Sequence, residues 1–163
     1  MDAAKLEAAK QVFEAMVEHY SSHGIKKYEK QADEQNGIFR MKFDYIGEDI
    51  PMSFYIFVEA GRGVIRLLSP QPIKVEEGNY AMMAQAVNAI NENLVNGCFT
   101  LDTTNGMIVW RVTIPYMESL LSEQVYDYLI LISLRTVDDY NDKLLMLNKG
   151  MLDLDAFVQG LRQ

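Results

Sequence analysis

The chain has 163 residues, 49% of them hydrophobic and 23% charged, and its 15 basic and 23 acidic side chains leave a net charge of −8. A chain of that length buries roughly 70% of the surface its unfolded form exposes, so the composition fits a packed domain and excludes a disordered chain, a collagen-like chain or a disulfide scaffold. The acidity argues against direct binding of nucleic acid or an anionic membrane, both of which need a basic footprint.

The single cysteine, Cys98, cannot form an internal disulfide, which favours a reducing compartment and a cytoplasmic protein. Charges at Lys5, Glu7, Lys10, Glu14 and Glu18 interrupt any signal-peptide core. The longest apolar run, 128–134, is about a third of the ~20 residues a membrane span needs, and Ser133 interrupts it. A soluble protein with no membrane segment is expected.

Leu6, Ala9, Val12, Phe13, Met16, Val17 and Tyr20 recur at helical spacing. They predict an amphipathic helix of about five turns that ends near 21–24, where Gly24 suits a left-handed cap. The period then falls to two. Phe39, Met41, Phe43 and Tyr45 alternate with Arg40, Lys42 and Asp44. Asn36-Gly37 reads as a two-residue turn and requires a strand before it, over 26–33. The polarity of that strand marks it as an edge, and its lysines would discourage edge-to-edge pairing. Met52, Phe54, Ile56 and Val58 make the next strand. Gly61-Arg62-Gly63 turns the chain into a strand over 64–68. Ser69-Pro70-Gln71-Pro72 should stop it, because proline cannot continue a ladder.

Gly78-Asn79 opens a second helix with Asn79 as candidate N-cap, striped by Tyr80, Met83, Val87, Ile90 and Leu94. Asn96-Gly97 ends it. Strands over 98–102 and 107–114 flank a turn at Asn105-Gly106, and Pro115 closes the unit. Ser122 caps a long third helix to about residue 147, whose centre, 129–134, is apolar nearly all round and so should be buried on several sides. Gly150 ends that helix. Asp153 caps a short last one, with Leu154, Phe157, Val158 and Leu161 on one face. The order is α-β-β-β-β-α-β-β-α-α. It predicts an α+β fold, with an antiparallel sheet of five to six strands packed by helices. No stretch has linker composition, so residues 1–163 are expected to form a single domain.

From about Asn79 onward a specific pattern appears. It runs Asn91-Glu92-Asn93-Leu94-Val95-Asn96-Gly97-Cys98-Phe99-Thr100-Leu101-Asp102, then the Gly106 turn, then 108–114 with Arg111, then Pro115. The helix with Leu129-Ile130-Leu131 and Leu134-Arg135-Thr136-Val137-Asp138-Asp139-Tyr140 follows. This half of the chain resembles the YbjN family of bacterial proteins, described as sensory transduction regulators. The resemblance implies a fold like the small chaperones of type III secretion, which are acidic homodimers that bind extended segments of partner proteins. It carries over no catalytic residue and no cofactor.

His19 and His23 stand four apart near the end of the first helix, a spacing that can place two imidazoles on one metal. No third histidine exists and the His-Glu-x-x-His pattern is absent, so capping of the helix C-terminus is preferred. Cys98 reads as a small structural residue rather than a nucleophile. Asp138, Asp139 and Asp142 lack the spacing of a calcium loop and read as a solvated helix face. Asp102, at the start of a turn, should bond nearby backbone amides. Gly61-Arg62-Gly63 is too short to cradle a phosphate. No spacing supports a catalytic triad or a paired-acid site, so an enzyme is not expected.

What remains is surplus apolar surface. Met82, Ala86 and Ala89 form a second, small-residue stripe on the second helix. In the last strand Met107 and Val109 stand on one face, and Trp110 with Ile108 on the other. Met82, Ala86, Ala89, Met107, Val109 and Trp110 are the candidate contact residues for a homodimer or a protein partner. Ten methionines suit a surface that accepts varied apolar partners. The sequence therefore points to a non-enzymatic protein-binding module, chaperone-like or adaptor-like. The alternative is a small-molecule sensor with a pocket between sheet and long helix.

Overall fold

The computed structural model describes residues 2–117 and 120–161. Helix α1 (Ala3–Ser22) is followed by β1 (Tyr28–Asp33), β2 (Ile38–Ile46), β3 (Pro51–Glu59) and β4 (Val64–Lys74). A 3-10 turn (Glu77–Asn79) leads into α2 (Tyr80–Asn91), then β5 (Cys98–Asp102), β6 (Met107–Pro115), α3 (Glu123–Asn148) and α4 (Leu154–Gly160). The six strands form one sheet in the order β1-β2-β3-β4-β6-β5. The hairpin registers are antiparallel. The class is α+β and the element order is the one expected.

All three hairpins turn in the same way. Asp33 pairs with Ile38, Glu59 with Val64 and Asp102 with Met107, so the loops are 34–37, 60–63 and 103–106. Each ends on a glycine at positive φ: Gly37 at 63°, Gly63 at 64° and Gly106 at 75°. The Gly63 and Gly106 amides donate back to the Glu59 and Asp102 carbonyls at 2.9 and 2.7 Å. The expected two-residue Asn36-Gly37 turn is therefore a longer loop. Asp33 sets it by accepting the Asn36 backbone N–H at 3.1 Å and its side-chain amide at 2.8 Å.

Three further expectations are corrected. β4 does not stop at the prolines but runs through Pro70 and Pro72 to Lys74. Being two residues apart, both rings remove an N–H from the same side of the strand, and the other side keeps its ladder. Asn79 does not cap α2 with its side chain. Its amide instead donates to the carbonyl of Asn148 at 3.1 Å, satisfying a carbonyl at the end of α3. Within 129–134 of α3, Ser133 is fully buried and bonded to the Leu129 carbonyl, while Leu131 is exposed. Gly150 at φ 67° and Asp153, which accepts from the Asp155 and Ala156 amides, bound the helices as expected.

By packing, the chain divides into two compact units: Met1–Tyr45, Ser53–Leu68 and Val112–Ser133 form the first, and Ile46–Met52, Ser69–Arg111 and Leu134–Gln163 the second. In the first, α1 buries Val12, Phe13, Met16 and Tyr20, while β2 and β3 bury alternate residues from Phe39 to Val58. Phe13 meets Phe39 at 5.6 Å and Phe43 stacks on Phe54 at 5.3 Å. The buried Tyr20 hydroxyl donates to the Tyr126 carbonyl at 2.8 Å. In the second, α2 packs against both β5 and α4. Met83, Ala86, Val87 and Ile90 of α2 are buried, as are Phe99, Trp110 and Phe157. Phe99 contacts Trp110 at 5.2 Å and meets Tyr140 edge-on at 6.1 Å.

Two predictions follow from this packing. A Cβ on Gly97, at φ 79°, would lie 2.3 Å from the ring of fully buried Trp110. Backbone strain and overpacking then act together, and Gly97→Ala should cost about 3 kcal/mol or more. Gly63 is also left-handed but has open space around its Cβ position, so Gly63→Ala should cost only about 1 kcal/mol. Urea midpoints compare the two. Separately, burial first, then the neighbouring Tyr126 and Asp127, push the Tyr20 phenol above its ordinary pKa of 10.0. A raised pKa contributes stability that is complete below the unfolded value and declines above it. Stability should therefore fall as pH rises past 10.0. Tyr20→Phe should flatten that decline while losing about 1 kcal/mol at neutral pH with its hydrogen bond.

Candidate functional site

The six candidate contact residues all belong to the second unit, and they do not form one patch. On α2, residues 82, 86 and 89 share one side of the helix. Ala86 is fully buried, whereas Met82 and Ala89 are half-buried. On β6, alternation separates the rest. Trp110 is fully buried with Ile108, while Met107 and Val109 face the other way, the former 39% exposed. Trp110 and Ala86 thus serve the core. Met82, Ala89, Met107 and Val109 retain surface.

The sheet margins differ in how their peptide groups are treated. β5 is one outer strand. The Asn91 side chain, at the end of α2, accepts the Phe99 N–H at 2.8 Å and donates to the Phe99 carbonyl at 2.9 Å. One amide thus reproduces the pairing of a neighbouring strand at Phe99. β1 is the other outer strand, and its residues 28–32 are all exposed. Its charges are already matched. Lys30 reaches Glu14 at 3.0 Å, and Glu29 is 3.7 Å from Lys42.

A cleft of about 520 Å³ separates α3 from α4. Met146, Leu152, Ala156, Phe157 and Leu161 supply its apolar lining, and Asp139, Asp142 and Lys143 its polar one. The last three also line an adjoining acidic pocket of about 390 Å³ with Glu48, Asp49, Arg135 and Asp138. Asp138 is not part of a merely solvated face, as the sequence suggested. Its carboxylate accepts the Glu48 N–H, at 3.1 and 3.3 Å to the two oxygens. A Cβ at Gly47 would fall against the same carboxylate and the end of Met52, so a larger residue there would require those side chains to move. Burial, and then Asp139, raise the pKa of Tyr140 at the cleft.

The histidines lie in the first unit. The His23 ring nitrogen is 2.8 Å from the His19 carbonyl, the capping arrangement expected. His19 is nearly buried and its Nε2 lies 2.7 Å from Asp127 on α3, a partner that no local spacing reveals. Among the described residues no group of three or more histidine, cysteine or acidic side chains is placed to hold a metal. Cys98 is half-buried opposite Arg111 in the β5–β6 register. Asp102 accepts from the Thr104 hydroxyl and amide and from Asn105, as its position in the turn implied. The Thr104 bonds, with that of Asn105, lower its pKa. Arg62 and Arg66 both pair with the buried Glu59, so the Gly61–Gly63 turn is braced from within its own hairpin.

Comparison with known proteins gives a family and a fold. The family model "YbjN: Putative bacterial sensory transduction regulator" matches residues 12–146. A search of the curated proteins finds no match. Among solved structures, a chain in the crystal structure of the ExsC-ExsE complex is similar, with a TM-score of 0.50 and 13% identity over 86% of this chain and 97% of that one. At that identity the likeness is one of fold. Among the described residues no helix is long and apolar enough to cross a membrane.

The Asn91 clasp is directly testable. Asn91→Ala removes two hydrogen bonds from the Phe99 peptide and should cost about 1–3 kcal/mol by denaturant unfolding. It should also expose the β5 edge, read as concentration-dependent association by light scattering. Asn91→Asp keeps the acceptor but sets a carboxylate oxygen against the Phe99 carbonyl, so it should recover only a minor part of the loss.

Proposed function

The chain belongs to the YbjN family, and on that footing we propose that it is a non-enzymatic protein-binding module, chaperone-like or a regulatory adaptor, which holds an extended segment of a partner protein and works in the cytoplasm as a homodimer. The observation that carries this reading is the asymmetry of the sheet margins. One edge is capped at Phe99 by Asn91, while β1 is exposed along 28–32 with its charges matched within the chain. An incoming strand gains main-chain hydrogen bonds there without having to displace a capping side chain. The fold of a chain crystallised in the ExsC-ExsE complex supports a partner-holding role. Met82 and Ala89, half-buried on α2, supply the homodimer contact, and Met107 and Val109 extend the apolar surface. The net charge of −8 keeps such a complex dispersed.

The solution mass tests the dimer. Light scattering should give twice the chain mass at low micromolar concentration, and Met82→Lys with Ala89→Lys should give the monomer with an unchanged far-UV spectrum. A monomeric wild type, or a dimer that survives both lysines, refutes the assignment. Hydrogen exchange tests the edge. Backbone amides of β1 should gain protection when a co-purified partner is bound and lose it when the partner is stripped. Unchanged exchange at 28–33 refutes strand addition there.

A second reading, a sensor of a small molecule, is favoured by one specific feature. In the second unit the Ser69 hydroxyl, the Gln71 side-chain carbonyl, the Trp110 indole N–H and the Asn141 amide nitrogen are buried without a hydrogen-bond partner among the described residues. They lie on β4, β6 and α3, and buried polar groups of this kind call for a polar companion. A ligand that meets them must raise the melting temperature, and thermal-shift screening reads this directly.

A further inference from the structure

The reversal between α3 and α4 is built to stay open. Gly150 takes φ 67° to end α3, and Asp153 caps α4 through two backbone amides, so the connection is fixed at both ends. The α3 wall is formed by 139, 142, 143 and 146, which follow helical spacing on one face. Its apolar base is Met146 with Phe157 and Leu161. Met146 is 36% exposed and Met151, in the reversal itself, 69% exposed. Among the described residues Lys143 is the one base lining the cleft, and it does not neutralise it. Lys143 folds back onto the Asp139 backbone carbonyl at 2.6 Å and lies over the Tyr140 ring. No ion pair occupies the Asp139 or Asp142 carboxylates among the described residues. The adjoining pocket, which shares those two acids and Lys143, adds Glu48, Asp49 and Asp138 against the single further base Arg135, so acids outnumber bases there. An apolar slot therefore opens directly onto a negative field.

Resting on the partner-holding reading above, we infer that the α3–α4 cleft is a second docking surface, and that its occupant is an amphipathic segment of a partner protein, apolar on one side and lysine- or arginine-bearing on the other. Apolar side chains fill the space between Met146 and Phe157, and the basic ones reach Asp139, Asp142, Glu48 and Asp49. The occupant lays its apolar face into the groove, with the methionine adapting to the side chain it meets. The basic flank is what separates this occupant from a second copy, because another chain of net charge −8 meets the acidic pocket with repulsion.

The test uses the whole chain and synthetic peptides. The probe is a fluorescent peptide of leucines and lysines in helical register. Its controls replace the lysines by glutamates, or the leucines by serines. The leucine–lysine peptide should bind and both controls should fail, with affinity falling as salt rises. Met146→Glu, and separately Asp139→Asn with Asp142→Asn, should each weaken binding at least about tenfold. Asp153 holds the α4 cap, so Asp155→Asn serves as the acidic control outside the lining and should leave binding unchanged. Methyl resonances of methionine give a second readout on the wild type. Met146 should shift on titration, and the buried Met41 and Met83 should not. Peptide binding that ignores the Met146 and Asp139/Asp142 variants overturns the cleft while leaving the partner-holding reading intact. No binding of the leucine–lysine peptide also overturns the cleft, and the dimer and β1 exchange measurements still judge the broader reading. A dimer that Met146→Glu turns into a monomer assigns the cleft to a second copy, and overturns the proposal too.

Discussion

A strand at the margin of a sheet leaves every second peptide group without a partner, and this chain has two such margins to manage. At β5 the solution is local. The last residue of α2 turns its amide onto Phe99 and makes both missing hydrogen bonds with one side chain. That clasp fixes more than an edge. It holds the end of α2 to β5, whose Phe99 sits between Trp110 and Tyr140, so strand, helix and aromatic cluster are set by one residue. Trp110 in turn leaves no room for a side chain at Gly97, the turn that delivers the chain from α2 to β5. At β1 no such clasp is formed among the described residues. Its one lysine, Lys30, and its glutamate, Glu29, are tied to Glu14 and Lys42. Charges that would guard an edge by repelling strands are in this way partly silenced.

The features legible in the sequence are those governed by neighbours along the chain. Alternation placed the buried faces of β2, β3 and β6, and helical spacing placed those of α1 and α2. Gly150 and Asp153 were readable because left-handed glycine and an N-cap aspartate are local devices. Errors arose where a local rule had a non-local answer. Pro70 and Pro72 look like a stop signal, yet their shared spacing of two confines the loss to one side of β4. Asn79 has the chemistry of an N-cap but spends it on Asn148, sixty-nine residues away. Ala86 and Trp110 were counted as surplus apolar surface. A period shows which side of an element a residue lies on, and not whether another element covers that side. The packing of α4 on α2 is information of the second kind. The Asn91 clasp was hidden for the same reason, although Asn91 stands first in the motif that carries the family resemblance.

Electrostatics divides along similar lines. The net charge was plain from composition, but its local use was not. Of the three acids that read as a solvated face, Asp138 anchors the loop at Gly47 and Glu48, whereas Asp139 and Asp142 form no ion pair among the described residues and lie beside an apolar cleft. The loop approaches Asp138 most closely at Gly47, a contact that nothing nearby in sequence reveals. A carboxylate that accepts a backbone amide is satisfied structurally. One that faces a cleft with its nearest lysine turned away remains available for a partner.

Two opposing requirements meet in the proposed role of a homodimeric partner-holder. A chain that holds others by strand pairing must keep an edge open, and an open edge invites its own copies as readily as a partner. Net repulsion between acidic chains raises the threshold for that encounter without blocking a basic or neutral segment. Homodimer formation against the same repulsion then requires a contact where apolar burial outweighs charge. Met82 and Ala89 meet that condition, because neither they nor the alanines beside them on α2 carry charge, and the small side chains allow close approach. Specificity in such a system comes from where the charge is placed rather than from how much there is. In the proposed scheme the acidic cleft admits what the open edge alone could not distinguish, and the edge supplies main-chain hydrogen bonds that the cleft lacks.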